Sequence, residues 1–303
     1  GLARNVFRDN QSAEAFKEAE SSIQTVLALD SNNQVAYENL ARLYYDRGLI
    51  KDKSYFVLAN LVVNQGIRVL KDQKLESAAL YNINGLLILQ QDDQVNALKS
   101  FKEATRVEPN HSEANLNIGF ISIGFRDYAQ AEKSFQIALK NSLYKKNIEA
   151  HIALGVAQRG LKKLKAAEKS YNTASKINSK DPRPYYNLGI LYQEHFAVTD
   201  DVDEAGQKKA WNTAKKHYNK FISMSGGNKA MAEKVLIAKD SIANIDESFD
   251  IMKQMKILEA EAAKMAKLQE EQDRKERERL LKLEQQAMDA ANAPAAPPAD
   301  APK

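Results

Sequence analysis

The side chains best suited to chemistry are four histidines, His111, His151, His195 and His217. No two form a His-x3-His pair and no His-Glu-x-x-His run occurs, so no helix offers two imidazoles one turn apart to a zinc ion. His195 and His217 lie nearest an acidic group, Asp200, Asp201, Asp203 and Glu204, which would suit a divalent cation if the segment folded back on itself. The acidic residues lack the twelve-residue calcium loop with its central glycine, and solvated loop carboxylates are the plainer reading. His111 and His151 fall where helices begin and read as caps or surface groups. Gly226-Gly227 is a turn signal rather than a phosphate-binding loop, and no Gly-x-Ser-x-Gly nucleophile setting appears. The chain has no cysteine, which excludes disulfides, thiol catalysis and cysteine metal sites. The expectation is a chain with no catalytic residues, cofactors or metal.

Charge is the second kind of chemistry available. Between Lys140 and Arg183 eleven positive residues face only Glu149, Glu168 and Asp181, a local balance of +8 in a chain of net charge +4. Lys145, Lys146, Lys162, Lys163, Lys165 and Lys169 form its centre. Such a patch steers acidic proteins, anionic lipid head groups or nucleic acid. Only Tyr144 and Tyr171 interleave with it, too few aromatic readers for nucleic acid to come first. A solvated outer face is the plain reading, with an acidic protein partner next.

The elements that must position these groups are written in a repeated spacing. Gly85 is matched by Gly119, Ala97 by Ala131, Phe101 by Phe135 and Ala104 by Ala138, each 34 residues on. Such a period marks stacked helix–turn–helix units, none of which buries its apolar face alone. The glycines and alanines let helices approach closely, and the phenylalanines fill the space between units. Pro109, Pro182 and Pro184 punctuate boundaries and the other four prolines lie after residue 291, the placement an all-helical body requires. No run of about 18 apolar residues is present to form a membrane-spanning helix.

The spacing resembles the tetratricopeptide repeat, matching its Gly, Ala, aromatic and Pro positions. Further units follow: Tyr37, Leu40, Ala41 and Tyr44 stand for the family's W, L, G and Y, and Leu154-Gly155 and Leu188-Gly189 mark two more. Gly48 reads as a helix end tolerant of positive φ. The resemblance implies an all-α, right-handed α-solenoid. Residues 1–32 read as a half repeat or capping helix, since Ala28-Leu29-Asp30-Ser31-Asn32 resembles the close of a family unit. About five repeats span 33–227, with an insertion near 195–209 that reads as a surface excursion. A capping helix follows over 228–248, a charged, coiled-coil-like helix over 249–290, and a disordered Ala/Pro tail over 291–303. The start at Gly1 without methionine or leader reads as a processed or truncated product.

The resemblance also implies that first helices line a concave groove. Carried over from the second, fifth, sixth, ninth, twelfth and thirteenth unit positions, it assigns Asn39, Arg42, Tyr45, Leu86, Leu89, Asn117, Phe120, Ile123, Ile152, Val156, Arg159, Asn187 and Ile190 to that groove. The asparagines would hydrogen-bond a peptide backbone. The central repeats look too apolar for the family's Lys/Arg clamp on C-terminal carboxylates, and tight curvature that buries these side chains is the alternative. The function implied is a non-catalytic protein–protein interaction scaffold that binds a partner helix or extended peptide. Binding of nucleic acid or anionic surfaces through 140–183 is the second reading, and a regulatory subunit of an enzyme complex the third. Ile251, Met255, Leu258 and Met265 recur at heptad-like spacing and imply a second partner or self-association through 249–290, with projection preferred to docking in the groove. More loosely, the charged helix and Ala/Pro tail resemble envelope-associated repeat proteins of bacteria, including gliding-motility types, which implies a periplasmic setting.

Overall fold

Eight of the helices open where the sequence supplies an acceptor for their first free amides. Ser12, Asn33, Ser77, Asp93, His111, Asp127, Asn147 and Asp203 all accept from a backbone N–H three residues on. The computed structural model describes residues 12–291. Among them the helices are α1 (Ala13–Leu29), α2 (Gln34–Ile50), α3 (Tyr55–Asp72), α4 (Ala78–Leu89), α5 (Gln94–Val107), α6 (Ser112–Gly124), α7 (Tyr128–Ala138), α8 (Ile148–Gly160), α9 (Leu164–Ile177), α10 (Arg183–Glu194), α11 (Glu204–Met224) and α12 (Ala232–Ala291), with no strand. The chain divides into two units, Gly1–Lys239 and Asp240–Lys303.

In the first unit the helices pair as hairpins α2–α3, α4–α5, α6–α7, α8–α9 and α10–α11, with α1 packed on α2. A glycine and an aromatic ring lock each hairpin. Phe56, Phe101, Phe135, Tyr171 and Tyr218 on the second helices lie against Gly48, Gly85, Gly119, Gly155 and Gly189 on the first. A β-carbon at any of these glycines would stand less than 3.0 Å from the ring. Gly48 is therefore a packing residue inside α2, which runs on to Ile50 without positive φ, and not the helix end its type suggests. Away from the glycine, Phe101 joins Ala114, Ile118 and Ile121 of the next hairpin, and Phe135 joins Ala150, Leu154 and Ala157. The core is thus a series of layers between neighbouring hairpins. Burying one such ring contributes about 1.5–3 kcal/mol relative to leaving it exposed, so packing outweighs the exposed ion pairs at about 1 kcal/mol or less each.

The extra residues of the fifth hairpin are not a loose excursion. Gly189 and Tyr218 are 29 residues apart, where Gly85–Phe101, Gly119–Phe135 and Gly155–Tyr171 are 16 apart. Most of the difference lengthens α11 to 21 residues, because Asp203 caps it through Gly206 N–H at 2.7 Å. A short 3-10 turn, Phe196–Val198, buries Ala197, whose carbonyl accepts from Gln207 Nε2. Trp211, the single tryptophan, lies half-buried on α11.

Beyond a 3-10 turn at Lys229–Met231, 228–248 and 249–290 are not separate helices: α12 is one helix of 60 residues. No Gly or Pro interrupts it. Within the second unit Ile251, Met255, Leu258 and Met265 are exposed. Lys275 pairs with Glu271 at 2.8 Å and Arg274 with Glu278 at 3.9 Å, one turn apart. The readings of residues 1–11 and of the Ala/Pro tail from 292 fall outside the described residues.

Candidate functional site

First helices of successive hairpins touch each other, α2 with α4, α6 with α8 and α8 with α10, while no pair of neighbouring second helices does so to that extent among the described residues. The row of first helices is therefore the inner face. The structure assigns its residues very different roles. Tyr45 is buried, with its hydroxyl facing Gln90 Nε2 at 3.3 Å. Leu86 and Leu89 pack into the layers around Phe101, Ile123 into that of Phe135, and Ile152 and Val156 into that of Tyr171. The apolar stripe expected to line an open groove is thus largely consumed between repeats. Phe120 is the exception, 38% exposed and edge-on to Phe135 at 5.0 Å. Ile190 is half-buried.

The polar members also divide. Asn39 and Asn187 donate Nδ2 to the carbonyls of Val35 and Arg183 on their own helices. Asn117 Nδ2 and Arg159 Nη1 are buried atoms without a partner among the described residues. Tyr171, fully buried beneath Gly155, has an unpartnered hydroxyl. Burial holds its pKa above the ordinary range, with nearby Arg159 working against it.

The most developed polar cluster lies where α2, α4 and α6 meet. Arg42 Nη1 donates to both carboxylate oxygens of Glu113, at 2.8 and 2.7 Å, and Nε donates to Asp46 at 3.0 Å. Burial opposes the charge on Arg42, but Glu113 and Asp46 outweigh it and hold the guanidinium protonated more firmly than usual. Asn82, only 1% exposed, donates Nδ2 to Glu113 Oε2 at 2.9 Å. Glu38 Oε1 accepts from Ser77 Oγ at 2.6 Å and Gln34 Nε2 at 2.8 Å. Together with Asn39, Ala79, Ile83 and His111, residues Glu38, Arg42, Asn82 and Glu113 line a cavity of about 180 Å³. Of these, only Asn39 and Arg42 are among the groove residues named from the sequence. Glu38 and Asn82 occupy the fifth position and Glu113 the second, groove positions of the same register that could have found them.

In the basic patch Lys145, Lys146, Lys162, Lys163, Lys165 and Lys169 are all exposed. Lys163 pairs with Glu132 at 2.5 Å, and Arg183 with Asp181 and Glu149, so part of the local excess is neutralised. Lys162, Lys163 and Lys165 flank a cleft of about 560 Å³ that Phe196 also lines.

The histidines are occupied with packing and capping. His217 stacks between Tyr185 and Tyr192, ring centroids 6.3 and 5.6 Å away, and burial pushes its pKa down against the pull of Glu168. His195 is likewise lowered by burial. His111 Nδ1 accepts from Ala114 N–H, and His151 Nε2 lies 3.0 Å from the Lys145 carbonyl. Among the described residues no three His, Asp or Glu gather to hold a metal ion, and no helix is long and apolar enough to cross a membrane.

Comparison with known proteins agrees with this architecture. A family model described as TPR repeat matches residues 159–195. A TPR repeat-containing protein of Methanocaldococcus jannaschii is 29% identical over 113 residues, 36% of this chain and 19% of that protein. The BBSome complex member BBS4 of Xenopus tropicalis is 27% identical over 124 residues, 41% of this chain and 24% of that protein. The chain therefore spans less than a quarter of the length of these relatives. Among solved structures, YrrB, a TPR protein with an unusual peptide-binding site, aligns at TM-score 0.57 and 15% identity over 73% of this chain and 100% of that one. The C-terminal part of a TPR repeat-containing protein from Cytophaga hutchinsonii aligns at 0.52 and 16% identity, over 81% and 87%. At such identities the likeness is one of fold.

Proposed function

We propose that the chain, a helical-repeat solenoid similar to tetratricopeptide-repeat proteins, is a non-catalytic scaffold whose inner face receives a helix or extended segment of a protein partner. The observation that carries this reading is the Phe120 ring left exposed on the inner face, with half-buried Asn117 one turn before it. An aromatic ring left open beside an amide on an otherwise packed inner face suits the apolar and polar anchors of a partner segment. A random dodecapeptide library displayed on phage and selected on the full chain tests it. Selected peptides are expected to bind Asn117→Ala and Phe120→Ala about tenfold more weakly, the loss of one bond or one ring contact. Equal binding to both variants would overturn the reading.

A second reading draws on Lys145, Lys146, Lys162, Lys165 and Lys169, which hold no ion pair among the described residues. They form a free basic surface for nucleic acid or an anionic face. A steep fall of heparin or RNA binding with salt, lost on replacing these lysines by glutamine, would support it. A setting in a bacterial envelope or motility complex belongs to the proposal too. It rests only on the looser sequence likeness, and fractionation of the producing cells decides it.

A further inference from the structure

The outer face of α3 breaks a pattern that the other second helices keep. Each second helix packs closely through a fully buried alanine, Ala59, Ala97, Ala131, Ala167 or Ala214. Two residues after it the outer side chain is Lys99 in α5, Lys133 in α7, Lys169 in α9 and Lys216 in α11, all exposed. In α3 that position is Leu61, 60% exposed, and Val57 one turn before it is 63% exposed. Leu58 is exposed beside them, so the start of α3 carries a continuous apolar stripe. Exposed Leu49 and Ile50 extend it, because Phe56 lies against Gly48 and so holds the last turn of α2 beside the first turn of α3. Opposite charges stand at the two ends. Asp52 lies just before α3, its Oδ1 accepting from Ser54 N–H at 2.9 Å, and Arg68 lies seven residues after Leu61, on the same side of the helix. Both are exposed, and neither holds an ion pair among the described residues.

We propose that this stripe is the interface of a homodimer, in which a second copy of the chain lays its own α3 antiparallel to the first across a two-fold axis. The stripe is complementary to itself in that arrangement. An axis level with residues 59 and 60 sets Val57 of each copy against Leu61 of the other and brings the two Leu58 side chains together. Asp52 and Arg68 both lie eight residues from position 60, about 12 Å along a helix, so each meets its opposite charge on the other copy, at both ends. A parallel, in-register pair would instead set Arg68 against Arg68 and Asp52 against Asp52, and the charges therefore select the antiparallel form. An apolar centre with charges at its rim is the usual anatomy of such a contact. The lysines that replace Leu61 in α5, α7, α9 and α11 would oppose one another in the same pairing and keep those helices from competing. Because the stripe belongs to a second helix, the dimer leaves the row of first helices free, and this inference stands apart from the inner-face reading.

Sedimentation equilibrium of the full chain over a range of concentrations tests the dimer. Leu61→Lys gives α3 the residue of its four counterparts at an exposed position, so circular dichroism should show the native helix content. The native chain is expected to sediment as a dimer and Leu61→Lys as a monomer, with dimer affinity lower by about a hundredfold, because two like charges would be buried at the axis. Arg68→Glu sets two carboxylates against each other at each end and should weaken the dimer about tenfold. Asp52→Lys added to it restores opposite charges and should recover most of that loss. A native chain that stays monomeric at every concentration removes the proposal. A dimer that survives Leu61→Lys but dissociates in Leu258→Lys assigns self-association to the exposed residues of α12 and overturns it as well. Dissociation by Leu61→Lys with no response to Arg68→Glu, or with no recovery in the double variant, overturns the antiparallel pairing.

Discussion

Chemically alike residues do unlike work here, and neighbouring contacts decide which. Gly119 and Gly124 both lie in α6, yet a β-carbon at Gly119 would stand 2.7 Å from the Phe135 ring, while at Gly124 its nearest neighbour is Gln94 Oε1 at 3.8 Å. Gly119→Ala should therefore cost about 1–3 kcal/mol by overpacking, whereas Gly124→Ala should be neutral or stabilise by about 0.5–1 kcal/mol. Chemical denaturation of the two variants measures both, and equal effects would remove the glycine–ring lock. His217 makes a different kind of prediction. Its folded-state pKa is depressed by burial between two tyrosine rings, below the ordinary 6.5. As pH falls through that ordinary value the unfolded chain gains a proton that the folded chain resists, so stability is lost on acidification. Melting temperatures of the native chain should drop between about pH 7 and about pH 5 more than those of His217→Phe, with His195 accounting for part of the remainder. Identical profiles would place His217 in solvent.

At the scale of elements, caps and turns set where helices begin. Asp203 opens α11 through Gly206 N–H. Asp203→Ala should cost about 1 kcal/mol, a fall in melting temperature of about 2–4 °C for a body of this size. An unchanged melting curve would show that α11 begins later, inside a loop. This helix also shows what the sequence does and does not reveal. The hairpin register is plain in Gly85, Gly119, Gly155 and Gly189 and in the rings that cover them, because steric fit leaves a residue-type signature at fixed spacing. The length of α11 is hidden, because added residues that form helix look, in a single sequence, like added residues that form loop. The apolar inner stripe misleads for a related reason. Leu86, Ile123 and Val156 stand at groove-facing positions, but how far they sink between repeats depends on the closeness of neighbouring hairpins, which no one-dimensional pattern contains. The cluster of Arg42, Asn82 and Glu113 joins residues up to 71 positions apart. Only the doubled period, applied to the second, fifth and ninth unit positions, connects them.

Across the whole molecule, stability in the hairpin array is a sum of local locks and of layers between nearest neighbours, so its ends should loosen before its middle. The polar bonds of Arg42 and Asn82 to Glu113 span α2, α4 and α6 and tie the first three hairpins together. At the other end the fifth hairpin has a long second helix that carries Trp211. The chain therefore contains its own optical probe. It has one indole, and that indole lies on the hairpin farthest from the polar tie, so emission spectra follow this hairpin alone while circular dichroism averages over every helix. Heated slowly, the protein should give two curves, with the change in tryptophan emission preceding the loss of ellipticity. The temperature gap between them would measure how strongly one repeat feels the next, without a label or a substitution. Coincident curves would mean that the array melts as a single cooperative body.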